Sequence, residues 1–137
     1  MLKGLSPLLG PELLKILCEM GHGDTIVFSD AHFPAHSLGP QVLRMDGVNI
    51  PDLLKAVMPV WELDAYVEHP FRMMQAVPGD SLDMDYVKLC SSIIGREPGY
   101  VERFAFYEEA QKAHAIVLTG ETRKYGNLIL TKGVVQS

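Results

Sequence analysis

The fold is read from Gly21-His-Gly-Asp-Thr-Ile-Val-Phe-Ser-Asp-Ala-His-Phe-Pro-Ala-His36, sixteen residues that hold three of the five histidines and two aspartates. In its middle, Thr25 to Ser29 is apolar and β-branched, which predicts a strand with one polar cluster before it and another after it. Asp30 then leaves the strand's carboxyl end. In open α/β sheets ligands gather outside those ends, where loops present side chains from a rigid support. The segment is therefore expected to form half of an active site, with the other half downstream.

Upstream, Gly10-Pro11-Glu12 predicts a helix start, with proline preorganised at the first position and an acid near the positive end of the dipole. Leu13, Leu14, Ile16, Leu17 and Met20 follow at helical spacing. Gly21 is expected to be the left-handed cap, which would set His22 just past the helix's negative end. That position favours the imidazolium and predicts a pKa raised from the usual value of about 6.5, as suits a general acid.

Downstream, Val42 to Met45 reads as a strand, Asp46-Gly47 as a turn, and Pro51-Asp52 as the start of a helix stopped by Pro59. A strand is expected near Met73 to Val77, and Asp83 caps a helix with Tyr86, Leu89, Cys90 and Ile93 on one face. Gly95 to Gly99 reads as a loop, and this middle part as architecture without chemistry. Arg103 precedes a helix over Glu108 to Ala113. Ala115 to Thr119 and Asn127 to Thr131 read as strands joined by a polar loop, the pair being antiparallel because that loop is short for a parallel crossover. Helices alternating with strands predict one α/β domain over residues 1–137, a three-layer α/β/α arrangement with a mixed central sheet.

The 137-residue length suits one domain with a real core. A formal charge of −5 without any Lys/Arg cluster argues against nucleic acid or an anionic membrane as partner and favours a small polar ligand. Cys18 and Cys90 sit in apolar helical patterns and read as buried, reduced thiols. The first residues carry Lys3, Pro7, Pro11 and Glu12, which suits neither a signal peptide nor a membrane span, so a cytoplasmic protein is expected. With 47% apolar residues against 21% charged, burial between subunits competes with an ordinary rich core.

His22, Asp24, Asp30, His32 and His36 admit a metal site, but their spacing matches no zinc pattern, and no metal is expected. General acid/base work on a polar substrate and simple loop hydrogen bonding remain as readings. Arg103 is either a surface cation paired with Glu102 or a rigid donor fork for a hydroxyl or ring oxygen. Tyr125 and Asn127 suit a carbohydrate's alternating CH and OH groups, and Gly126 permits close backbone approach.

Met1-Leu-Lys-Gly-Leu-Ser-Pro-Leu-Leu, Glu19-Met-Gly-His-Gly-Asp, Asp30-Ala-His-Phe-Pro-Ala-His-Ser, Arg103-Phe-Ala-Phe-Tyr-Glu, Thr119-Gly-Glu and Tyr125-Gly-Asn-Leu-Ile-Leu resemble the ribose pyranase and fucose mutarotase family over nearly the whole chain. The Arg-Phe-Ala-Phe-Tyr block and Tyr-Gly-Asn are similar to its fucose branch. The resemblance implies a cytoplasmic isomerase that interconverts the α and β anomers of L-fucose without cofactor. His22 would be the proton donor, supported by Asp24, and Asp30, Arg103, Tyr125, Gly126 and Asn127 would contact the sugar. It also implies a ring-shaped homodecamer in which each site is completed by the neighbouring subunit's Tyr-x-Asn loop. D-ribose pyranase and a non-catalytic sugar-binding protein are the alternatives. Two departures stand out: the stretch Asp83 to Val101 is shorter than in relatives, and Glu109 stands where a basic residue is expected.

Overall fold

The computed structural model describes residues 1–136. Six strands form one sheet among these residues: β1 (Thr25–Ser29), β2 (Gln41–Met45), β3 (Phe71–Met74), β4 (Gly99–Val101), β5 (Ala115–Thr119) and β6 (Leu128–Thr131), in the order β2-β5-β1-β6-β3-β4. β6 runs antiparallel to β1 and β3, and the other pairings are parallel, so the sheet is mixed. The expected antiparallel relation of the last two strands holds in direction, but β1 lies between them. A parallel neighbour on one side and an antiparallel one on the other let β1 bury every residue but Thr25 at the centre.

Alternation along β1 sends Ile26 and Phe28 to one face and Val27 to the other. On the first face pack α1 (Pro11–Glu19), α3 (Ile50–Val57) and α4 (Met84–Ile94), through Leu13, Leu17, Leu53, Leu54, Tyr86 and Cys90. On the second lie α2 (Ala35–Leu38) and α5 (Arg103–Gln111), through Ala35, Phe106 and Ala110, with Phe33 beside them. The result is the expected three layers, with burial on both faces explaining the unbroken apolar runs of the central strands.

Caps fix the helix starts. Asn49 accepts the Asp52 N–H at 2.9 Å, Asp83 accepts from Asp85 and Tyr86, and Glu102 accepts from Phe104 and Ala105. The Glu102 cap starts α5 at Arg103, earlier than the sequence suggests. Past Val57 the chain tightens into a 3₁₀ turn over Met58–Val60 that accommodates Pro59.

Several expectations are corrected. α1 ends at Glu19, Met20 is extended, and the left-handed glycine is Gly23, not Gly21. β3 starts and ends earlier than the Met73 to Val77 estimate. The loop expected over Gly95 to Gly99 ends at Pro98, and Gly99 opens β4, a strand not expected from the sequence, whose pairing comes from β3 and not from its own composition. On α4, Val87 is buried and Leu89 exposed. Cys18 is exposed and Cys90 buried, both free. No helix among the described residues is long and apolar enough to cross a membrane.

Candidate active site

Because β6 alone opposes the other strands, its amino end shares an edge of the sheet with the carboxyl ends of β1, β3 and β4. Asp30 follows β1, Met74 closes β3, Arg103 follows β4, and Tyr125 and Asn127 precede β6. These residues line one cavity of about 400 Å³, walled by Phe33, Met74 and Tyr107, with His32 and Lys124 at its rim. That size admits a monosaccharide, and its mixture of aromatic and polar lining is typical of small-molecule sites.

Its floor is a buried polar pair. Asp30 and Asn127 are each 3% exposed. The Asp30 N–H donates to Asn127 Oδ1 at 2.7 Å, and Asp30 Oδ1 accepts the His32 N–H at 3.0 Å. Asn127 Nδ2 lies 3.9 Å from the Met74 sulfur, a weak acceptor that leaves donor capacity for a ligand. Burial pushes the Asp30 carboxyl above its ordinary pKa, against the opposing pull of the His32 N–H and charge, the Gly126 N–H and the Asn127 amide. The group is thus poised to accept a proton more readily than an exposed aspartate.

The loop ahead of β6 is held under strain. Tyr125 has φ 57°, a left-handed conformation that non-glycine residues adopt at a cost of roughly 1–2 kcal/mol. Its hydroxyl donates to Asp80 Oδ2 at 3.0 Å, where Lys124 Nζ also binds at 3.0 Å. Gly126 is packed closely: a Cβ there would sit 2.9 Å from the Arg123 carbonyl oxygen, and the Gly126 carbonyl accepts the buried Tyr86 hydroxyl at 2.8 Å. Glu121, 2% exposed, anchors the other end of the loop. Its Oε1 accepts the Ile50 N–H at the start of α3, its Oε2 accepts the N–H of Thr122 and Nη1 of Arg123, and its carbonyl accepts the Ala31 N–H. Arg103 lies over the Phe104 ring at 4.9 Å and near Tyr107 at 5.8 Å, an arrangement in which the aromatic faces hold the guanidinium.

His22 is elsewhere. It precedes β1, whose five residues at about 3.3 Å each put roughly 16 Å between the two ends of the strand. Its side chain is 47% exposed, and Nε2 lies 2.9 Å from Asp64 Oδ1. Asp24, expected to support His22, instead accepts the Gly21 N–H at 2.7 Å. With α1 ended at Glu19, the charge that meets the imidazole belongs to Asp64 and not to a helix terminus. The exposed Tyr66 ring stands against His22 with centroids 5.3 Å apart. The five-group cluster of the sequence is therefore divided: Asp30 and His32 face the cavity, His22 and Asp24 stand at the far edge, and His36 lies outside beside Arg44 at 3.3 Å.

Sequence reasoning missed Asp64, Asp80, Glu121, Tyr86 and Met74. Asp64 lies between Glu62 and Glu68, and nothing local in the sequence marks it off from those two acids. Glu109, the unexpected acid, pairs with Arg72 of β3, which explains its charge as a contact within the chain.

A family model described as the RbsD / FucU transport protein family matches residues 3–135. A protein from Glaesserella parasuis serovar 5 (strain SH0165) described as L-fucose mutarotase is 58% identical over 140 residues, covering 98% of this chain and 96% of that protein. The fucose mutarotase of Streptococcus pneumoniae, solved in complex with L-fucose, superposes with a TM-score of 0.93 at 42% identity, over 98% of this chain and all of that one. FucU of Bifidobacterium longum gives a TM-score of 0.91 at 43% identity, over 96% of this chain and all of that one.

Proposed function

The chain belongs to the RbsD / FucU family, and from that premise we propose that it is an L-fucose mutarotase, a sugar isomerase that opens the cyclic hemiacetal and recloses it on the other face of the carbonyl. Asp30, Arg103, Tyr125, Gly126 and Asn127 hold the sugar, and His22 donates the proton. The observation that carries the assignment is the buried Asp30–Asn127 pair at the base of a sugar-sized cavity with aromatic walls. The identity of the sugar is supported by the relatives that turn over or bind L-fucose.

Mutarotation needs one proton delivered to the ring oxygen and one removed from the anomeric hydroxyl. A well-placed acid or base contributes on the order of 10²- to 10⁴-fold, sufficient for a reaction that already proceeds in water. Asp30, with its raised pKa, orients a sugar hydroxyl or relays a proton.

His22 and the cavity occupy opposite edges of one sheet, so the reading requires copies of the chain to meet. The Tyr125–Asn127 loop lies beside Asp30 and Arg103 of its own chain. The neighbour's contribution is therefore His22 and not that loop, reversing the sharing implied by the sequence resemblance. Exposed Tyr66, Val67 and Phe104 provide apolar surface for such contacts. A ring-shaped decamer in the cytoplasm belongs to the same reading.

Magnetisation exchange between the anomers, measured by NMR on equilibrated L-fucose and on D-ribose, tests the function. Exchange above the buffer rate with L-fucose preferred is the expected result. Faster exchange of D-ribose would make the protein a ribose pyranase, and sugar binding with exchange at the buffer rate would make it a non-catalytic binding protein. Light scattering of the purified protein checks the decamer.

A further inference from the structure

His22 and Asp64 are joined by a hydrogen bond across 42 positions of sequence. We propose that Asp64 is the positioning residue of His22: by accepting the Nε2 proton it fixes the imidazole tautomer and leaves Nδ1 as the nitrogen that exchanges protons with the sugar. This rests on the reading of His22 as the proton donor.

The carboxylate is firmly built into the fold. Asp64 is 2% exposed, and its Oδ2 accepts the Val67 N–H at 3.0 Å while Oδ1 faces the imidazole at 2.9 Å. Its own N–H donates to the Thr131 carbonyl at 2.9 Å, and the Gly133 N–H donates to the Glu62 carbonyl at 2.8 Å, tying the segment to the end of β6. A Cβ at Gly133 would stand 2.5 Å from the Leu63 carbonyl oxygen and 2.8 Å from Asp64 Cα, so this close approach of two backbones requires glycine. On the His22 side, Gly23 donates to the Lys132 carbonyl at 2.9 Å. Both partners are thus fastened to the same strand end.

The charge state follows from the contacts. Burial raises the Asp64 pKa, but the Val67 N–H, the imidazole and the Tyr66 N–H outweigh it and hold the carboxyl below its ordinary value. At neutral pH the group is a carboxylate, which can only accept, so Nε2 must carry a hydrogen. A neutral imidazole then has its lone pair on Nδ1, and the imidazolium has its transferable proton there. As the C1–O5 bond breaks, its electron pair stays on O5, which takes the Nδ1 proton. The O1 proton passes to the Asp30 carboxylate and C1=O forms; closing reverses each transfer. The Tyr66 ring faces His22 at 5.3 Å. The nearby charged groups are engaged elsewhere: Asp24 accepts the Gly21 N–H, and Lys132, whose carbonyl accepts the Gly23 N–H, donates from its ammonium to the Gly133 carbonyl and lies over the Trp61 ring at 5.8 Å.

The test combines long-range ¹H–¹⁵N NMR of the His22 ring with anomer exchange measured from pH 5 to 9, on the wild-type protein, Asp64→Asn and His22→Ala. The expected wild type is the Nε2–H tautomer. Asp64→Asn should show a mixture of tautomers, exchange slower by about 10²-fold or more, and a pH profile that differs from wild type. Asp64→Glu should recover part of the rate. An Nδ1–H tautomer in the wild type overturns the proposal without recourse to any variant. So does Asp64→Asn with wild-type rate and pH profile while His22→Ala is silent. Exchange that survives in His22→Ala would overturn the proton-donor reading itself.

Discussion

At the carboxyl end of β1, Asp30 is buried and matched on its N–H and its carboxylate by partners from the same chain, whereas at the amino end His22 is half exposed and hydrogen-bonded to the Asp64 side chain. The first region closes on itself: β1, β3, β4, α5 and the loop before β6 converge on one cavity. The second presents a groomed side chain on an open edge. A binding site gains from being completed within one subunit, because buried hydrogen bonds fix its geometry before the ligand arrives. On the proposed reading, a proton donor held by a buried carboxylate is instead carried to that site by a neighbouring copy, with the burial of Asp64 keeping the imidazole oriented until then.

The sharpest way to break this contrast is to disable each end separately. His22→Ala should lower anomer exchange by about 10²- to 10⁴-fold while leaving L-fucose binding intact, as read by NMR exchange and calorimetry. Co-expressing His22→Ala with Asn127→Ala should restore part of the exchange in mixed assemblies, since an intact cavity then meets an intact imidazole. If mixtures stay as silent as either parent, the two ends do not serve one site.

Arg103→Ala tests the self-contained end and should weaken L-fucose binding by about 10- to 100-fold, the loss of a charged hydrogen bond of roughly 1.5–3 kcal/mol. An unchanged dissociation constant would remove Arg103 from the cavity's working surface.

Glu121→Gln asks whether buried polar anchoring is what makes that end rigid. The variant should cost about 1–3 kcal/mol of folding stability in denaturant melts, and a wild-type melting curve would dissociate the anchor from the fold.

The smallest effect concerns Asp30. Its raised pKa means that the folded chain binds that proton more tightly than the unfolded chain. The stabilising contribution is therefore complete below the ordinary aspartate range and lost as pH rises through the folded value. At neutral pH the buried carboxylate is a cost borne for function. Asp30→Asn should melt at a higher temperature than wild type at pH 7, and the difference should shrink on acidification. A variant that is less stable at pH 7 would contradict that sign.

Thr25–Ser29 and Ala115–Thr119 were legible residue for residue, because a strand buried on both faces writes itself as an unbroken apolar run bounded by polar residues. Asp83 was legible as a cap for the same local reason: its acceptor meets N–H groups two and three residues on. β4 was not, since three residues with a glycine and a preceding proline have no strand signature until β3 lies beside them. In the site, Asp30, Arg103, Tyr125 and Asn127 could be nominated for their chemistry, but no periodicity links positions up to 97 residues apart.

By itself the sequence determined the alternation of helices and strands, the position of Asp30 at a strand's carboxyl end, and the polar groups suited to a sugar, all of which depend on neighbours within a few residues. Only the tertiary structure decided that β6 runs against its neighbours, that its loop therefore meets Asp30, and that His22 takes Asp64 as partner on the opposite edge. These outcomes depend on which backbone edges pair and which buried charges find acceptors, and such choices are made by segments distant in the chain.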